Sequence, residues 1–124
     1  MKRVLVIDDD ADIRMLVRMS FERVGDEVIE ATNGLEGVER ARAERPDAIL
    51  LDMLMPKMDG PATVRELKRD PETAEIPVVL LTAMIQPRDR GRVDELPIQG
   101  TITKPFDPLR LPRELDEMIA SSGG

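Results

Sequence analysis

Short apolar runs and amphipathic stretches alternate along the whole chain. Residues 3–7 (RVLVI), 47–51 (DAILL) and 76–81 (IPVVLL) are near-continuous apolar runs rich in β-branched residues. A weaker run lies at 99–103 (QGTIT), and 26–32 (DEVIEAT) mixes apolar with polar positions. Strands this uniformly apolar belong in a parallel sheet covered on both faces. Between them, apolar residues recur at three- and four-residue steps. Ile13, Leu16, Val17, Phe21 and Val24 predict a helix over residues 10–24, and Leu35, Val38, Ala41 and Ala43 predict a second. Residues 59–70 (DGPATVRELKRD) begin with an acidic cap, Asp59, and place Pro61 in the first turn. Residues 107–120 form a last helix, whose start Pro112 kinks or delays.

The stretch 86–97 (QPRDRGRVDELP) is the poorest helix. Gly91 sits in its middle, prolines bracket it, and Val93 and Leu96 are its clear apolar anchors. It is expected to be short and mobile. Residues 1–120 read as one domain and 121–124 (SSGG) as a flexible tail. Five strand–helix pairs predict a doubly wound α/β sandwich. Right-handed crossovers then bring the carboxyl ends of all strands to one edge of the sheet, where ligands bind.

Composition narrows the chemistry. Among 124 residues there is no cysteine and no histidine. This removes disulfides, thiolate nucleophiles, Ser-His-Asp triads and the usual zinc sites. A chain without histidine cannot itself donate phosphohistidine. The formal charge of −7 disfavours direct nucleic-acid binding. No apolar run is long enough for a membrane span, and the amino terminus lacks the pattern of a signal peptide. The absence of cysteine fits an expected cytoplasmic location.

The strand ends carry the remaining chemistry. Asp8, Asp9 and Asp10 follow the first strand, Asp52 the third and Thr82 the fourth, while Lys104, followed by Pro105, ends the fifth. Clustered carboxylates without imidazole or thiolate suit a hard, oxygen-loving cation, Mg²⁺ above all, with Mn²⁺ as a substitute. Asp8, Asp9 and Asp52 bring three negative charges, which one Mg²⁺ and Lys104 would cancel. An aspartate in such a place can attack a phosphoryl group, with Lys104 and Thr82 receiving the charge that develops on its oxygens. Asp10 is assigned to the start of the first helix, where acids favour the N-terminal dipole.

Taken together, "VLVIDDD", "ILLDMLMPKMDG", "VVLLTA" and "TKPFDP" resemble the four signature blocks of response-regulator receiver domains, in order and over essentially the whole chain. The resemblance implies a flavodoxin-like (βα)5 fold with strand order 2-1-3-4-5. It implies Asp52 as phosphoacceptor and Asp9 as a direct Mg²⁺ ligand, with Asp8 acting through a metal-bound water and the Leu54 backbone carbonyl completing the set. Thr82 and Lys104 would contact the phosphoryl group, and the Lys104–Pro105 bond would be cis. The phosphoryl donor would be a histidine kinase or phosphotransfer protein. Output would pass through another protein, by way of residues 83–120, with Arg88, Arg90, Arg92, Arg110 and Arg113 as candidate contacts. The chain would be a monomer or weak dimer and not a turnover enzyme.

Three positions depart from the family pattern. Many receivers place Tyr or Phe three residues before the lysine; here that residue is Thr101, and the chain has no tyrosine. An aromatic rotamer switch is excluded, so phosphorylation is expected to act by ordering or shifting residues 83–100, around Gly91. Leu54 and Met84 are apolar and cannot orient an attacking water, so the aspartyl phosphate is expected to last longer than it would with Asn and Glu at these positions. Two other readings fit parts of the pattern. A small haloacid-dehalogenase-like phosphatase would use Asp8 and Asp10 as its D-x-D pair, and a degenerate receiver would act as a binding module alone.

Overall fold

The computed structural model describes residues 1–53, 55, 58–83, 91 and 93–120 in full and the helical backbone of 121–122. Five parallel strands, β1 (Arg3–Ile7), β2 (Glu27–Ala31), β3 (Ala48–Asp52), β4 (Val78–Thr82) and β5 (Gly100–Thr103), form one sheet in the order β2-β1-β3-β4-β5. The described residues also form four helices: α1 (Ala11–Glu22), α2 (Gly34–Glu44), α3 (Gly60–Arg69) and α4 (Leu111–Ser122). The doubly wound fold and the strand order agree with the sequence reading.

The apolar strands split their side chains between two cores, as the period of two requires. Leu5, Ile7, Ile49, Leu51, Val78 and Leu80 point to one side, with Val38 and Ala41 of α2 and Val64 and Leu67 of α3. Val4, Val6, Leu50, Val79, Leu81 and Ile102 point to the other, with Val17 and Phe21 of α1 and Leu111 and Leu115 of α4. Burying an aliphatic side chain of this size contributes about 1.5–3 kcal/mol, so the two layers supply most of the driving force. Val93 and Leu96, the anchors of the weak stretch, lie in the first core. Gln99 fixes the following turn, accepting the Val78 N–H at 2.7 Å and donating its own to the Val78 carbonyl at 2.8 Å.

Helix starts follow the predicted capping chemistry. Asp10 accepts the Asp12 N–H, and Asp59 accepts the Ala62 N–H with Pro61 in the first turn. Asn33 caps α2 by accepting the Glu36 N–H, while the Glu36 carboxylate reaches back to accept the N–H of Thr32, the residue before the cap. Pro112 delays rather than kinks α4, which begins at Leu111 after a turn closed by the Asp107 carbonyl. That helix continues to Ser122, two residues into the segment expected as a tail. Leu16, Val24 and Leu35, which the apolar stripes marked for the core, are 39%, 49% and 48% exposed. α1 ends at Glu22, so Val24 falls in the turn before Gly25, whose φ of 87° suits glycine.

Candidate functional site

Asp8, Asp9 and Asp52 meet at the carboxyl edge of the sheet. β1 and β3 are hydrogen-bonded neighbours in which Ile7 pairs with Leu51, so the residues that follow, Asp8 and Asp52, stand side by side. Each of the three aspartates contributes a carboxylate oxygen lying within 4.8 Å of the others. Asp8 and Asp52 are buried and Asp9 is exposed, which leaves the cluster open to water on one side. The donor set is all carboxylate, which fits a hard divalent cation that retains waters.

Lys104 supplies the opposing charge. Its Nζ donates to Asp8 Oδ2 at 2.8 Å and lies 3.6 Å from Asp52 Oδ1. Burial works to lower the pKa of Lys104, but its hydrogen bond to Asp8 and the attraction of Asp8 and Asp52 outweigh that and raise it. The Lys104–Pro105 peptide is cis, as the sequence resemblance implied. Thr82 is buried at the end of β4, one residue beyond Leu81, the partner of Asp52 across the ladder. The Thr82 carbonyl accepts the Lys104 N–H at 2.7 Å, which ties the ends of β4 and β5 together.

A protein-family model described as "Response regulator receiver domain" matches residues 4–116. The chain belongs to the response-regulator receiver family. It is 39% identical over 120 residues to the DNA-binding dual master transcriptional regulator RpaA of Synechocystis, covering 97% of this chain and 47% of that protein. The chain thus spans about half the length of that relative. Among solved structures it is similar to the chemotaxis protein CheY4 of Vibrio cholerae, with TM-score 0.87 and 30% identity over 95% of this chain and 98% of that one. It is similar as well to the receiver domain of a sensor histidine kinase from Pseudomonas aeruginosa PAO1, with TM-score 0.87 and 26% identity over 96% and 98% of the two chains. In that structure a magnesium ion is coordinated in the active-site cleft.

The receiver fold thus gathers five of the sequence-nominated positions, Asp8, Asp9, Asp52, Thr82 and Lys104, at one edge. Asp10 stays out of the cluster: its side chain caps α1, and its N–H donates to Asp8 Oδ1 at 2.9 Å. Thr101 is partly buried on β5 opposite Leu80, and Gly91 is exposed. Leu54, Met84, Arg88, Arg90 and Arg92 lie outside the described residues. Arg110 and Arg113 are exposed and face Glu114 and Glu117 four residues on, at 4.0 and 3.4 Å, the arrangement of a solvated helix face.

Sequence reasoning missed one part of the surroundings. Arg14 Nη1 donates to the Asp8 carbonyl at 2.8 Å, and its Nε donates to Glu30 Oε1 on β2 at 3.0 Å. The available signal was faint: Arg14 and Arg18 share a helix face just after the acidic turn, and Glu30 is an acid within β2.

Proposed function

We propose that this chain is a phosphoacceptor in a two-component relay, taking a phosphoryl group from phosphohistidine onto Asp52 with Mg²⁺ as cofactor. The observation that carries this reading is the joint placement, at the strand ends, of three carboxylates within 4.8 Å of one another and an ammonium that reaches two of them. Asp9 and Asp52 would hold the ion directly and Asp8 through a bound water, together with the Leu54 carbonyl that the family pattern adds. When bound, the ion supplies positive charge to the oxygens of the incoming phosphoryl group. A carboxylate oxygen of Asp52 attacks phosphorus, the P–N bond to the donor imidazole breaks, and the bond electrons leave with the imidazole. The product on this chain is an acyl phosphate. Lys104 and the Thr82 hydroxyl receive the charge spread over the phosphoryl oxygens.

Receivers take phosphoryl groups from histidine kinases, so the donor is proposed to be a kinase or phosphotransfer protein, acting in the cytoplasm. Among the described residues no helix is long and apolar enough to cross a membrane. The phosphatase reading is disfavoured by Asp10, which caps a helix, and by the acids beyond Lys104. Asp107 accepts the Leu109 N–H, Asp116 pairs with Lys2, and Glu114 and Glu117 face arginines. Incubation with Mg²⁺ and, in separate arms, acetyl phosphate and a phosphate monoester separates the two. Incorporation that stops at one phosphoryl group per chain supports the acceptor; sustained hydrolysis of a phosphate ester supports the phosphatase.

A further inference from the structure

Asp8 is held at four points. Its N–H donates to the Ala31 carbonyl at 3.1 Å, its Oδ1 accepts the Asp10 N–H at 2.9 Å, and its Oδ2 accepts from Lys104 at 2.8 Å. The fourth is the Asp8 carbonyl, gripped by the Arg14 guanidinium at 2.8 Å. That oxygen belongs to the rigid peptide plane joining Asp8 to Asp9, so fixing it sets the backbone angles on either side. The direction in which the Asp9 carboxylate leaves the chain depends on those angles.

Three carboxylates this close repel one another, and rotation of the Asp8–Asp9 peptide would let them splay apart. The guanidinium that opposes this rotation is itself braced. Glu30 accepts Arg14 Nε on one oxygen at 3.0 Å and Arg18 Nε on the other at 3.0 Å. The Arg14 side chain is 15% exposed, so its bonds compete little with water. Burial tends to raise the Glu30 pKa, yet the hydrogen bonds from Arg18 and Arg14 prevail and hold it below the ordinary carboxylate value. Glu30 adjoins Ala31 on β2, so one strand end anchors both the Asp8 N–H and the arginine holding its carbonyl.

We propose that Arg14, braced by Glu30, is a positioning residue for the cation site, holding the Asp8–Asp9 peptide so that both carboxylates converge with Asp52. The inference rests on the Mg²⁺-dependent acceptor reading above. Arg14 is not one of the proposed ligands: its bonds go to the Asp8 carbonyl and to Glu30. Without it, the energy needed to gather the acids must come from cation binding, and affinity falls.

Calorimetric titration of the apo chain with Mg²⁺ alone tests this, alongside melting temperatures. Arg14→Ala is expected to weaken Mg²⁺ binding about tenfold, the low end of the effect of removing a group that orients metal ligands. Arg14→Lys recovers part of the loss, since an ammonium can reach the carbonyl but cannot bridge it to Glu30 with a fixed pair of N–H groups. Arg18→Ala removes a guanidinium from the same Glu30 but not from Asp8. It is expected to lower the melting temperature as Arg14→Ala does while leaving Mg²⁺ affinity unchanged. Unaltered affinity in Arg14→Ala, or an equal loss in Arg18→Ala, overturns the assignment. Wild-type chain that binds no Mg²⁺ overturns the acceptor reading and this inference with it.

Discussion

The Lys104 ammonium stands closer to Asp8 than to Asp52, at 2.8 Å against 3.6 Å. It therefore neutralises the acid beside the proposed acceptor while staying within reach of a group carried on Asp52. This pairing holds the Lys104 pKa above its ordinary 10.5. With the folded-state value raised, the stabilising contribution is complete below the unfolded value of 10.5 and is lost as pH climbs through the folded value. The melting-temperature gap between wild type and Lys104→Met should hold steady through neutral and mildly alkaline pH, then narrow in strong alkali. Thermal melts across that range check it, and a gap that persists in strong alkali contradicts it.

Repulsion among the acids makes a second outcome measurable. Two unit charges at 4 Å interact by about 1 kcal/mol in water and about 4 kcal/mol under protein-surface screening. Asp9→Asn removes one of three such charges. It should melt several degrees above wild type in chelator and gain less from added Mg²⁺, because a ligand for the folded state is lost. Scanning calorimetry with and without Mg²⁺ decides. A lower melting point in chelator would show that the acids do not oppose one another.

A third prediction concerns the loop after Asp52. A Cβ on Gly60 would lie 2.8 Å from the Met53 Cα and 3.1 Å from the Asp52 carbonyl, both backbone atoms. On Gly37 the obstacle is the end of the Ile7 side chain, 2.4 Å from the added Cβ. A side-chain end can move and a backbone cannot without shifting the site. Gly60→Ala should therefore destabilise by about 1–3 kcal/mol, more than Gly37→Ala does. Denaturant titration of the two variants measures this, and the reverse order would contradict it.

Thr101 leaves the chain without an aromatic switch, and Val93 and Leu96 tie the segment before β5 to the core. Beryllofluoride, as phosphoryl mimic, is expected to slow amide exchange between residues 93 and 100, a population shift in that segment. Exchange that is unchanged there while the mimic is bound would refute it.

The sheet was legible because β1, β3 and β4 are almost wholly apolar, and a strand buried on both faces needs no finer pattern. The acid cluster was legible because parallel topology brings strand ends together. Arg14 was not: its role depends on a side chain reaching back six residues to a main-chain oxygen, which no periodicity marks. On α1 the stripe placed Ile13, Val17 and Phe21 correctly but misjudged one edge of the face, for a related reason. Ser20 is buried there, where its hydroxyl donates to the Pro108 carbonyl, while Leu16 is left outside.

The most direct test of the account is to localise the phosphoryl group by mass spectrometry after reaction with acetyl phosphate and Mg²⁺. One group on Asp52, absent in Asp52→Asn and absent when Mg²⁺ is chelated, is the predicted result. A label on Asp8 or Asp9 in the wild type, or undiminished labelling of Asp52→Asn, would contradict it.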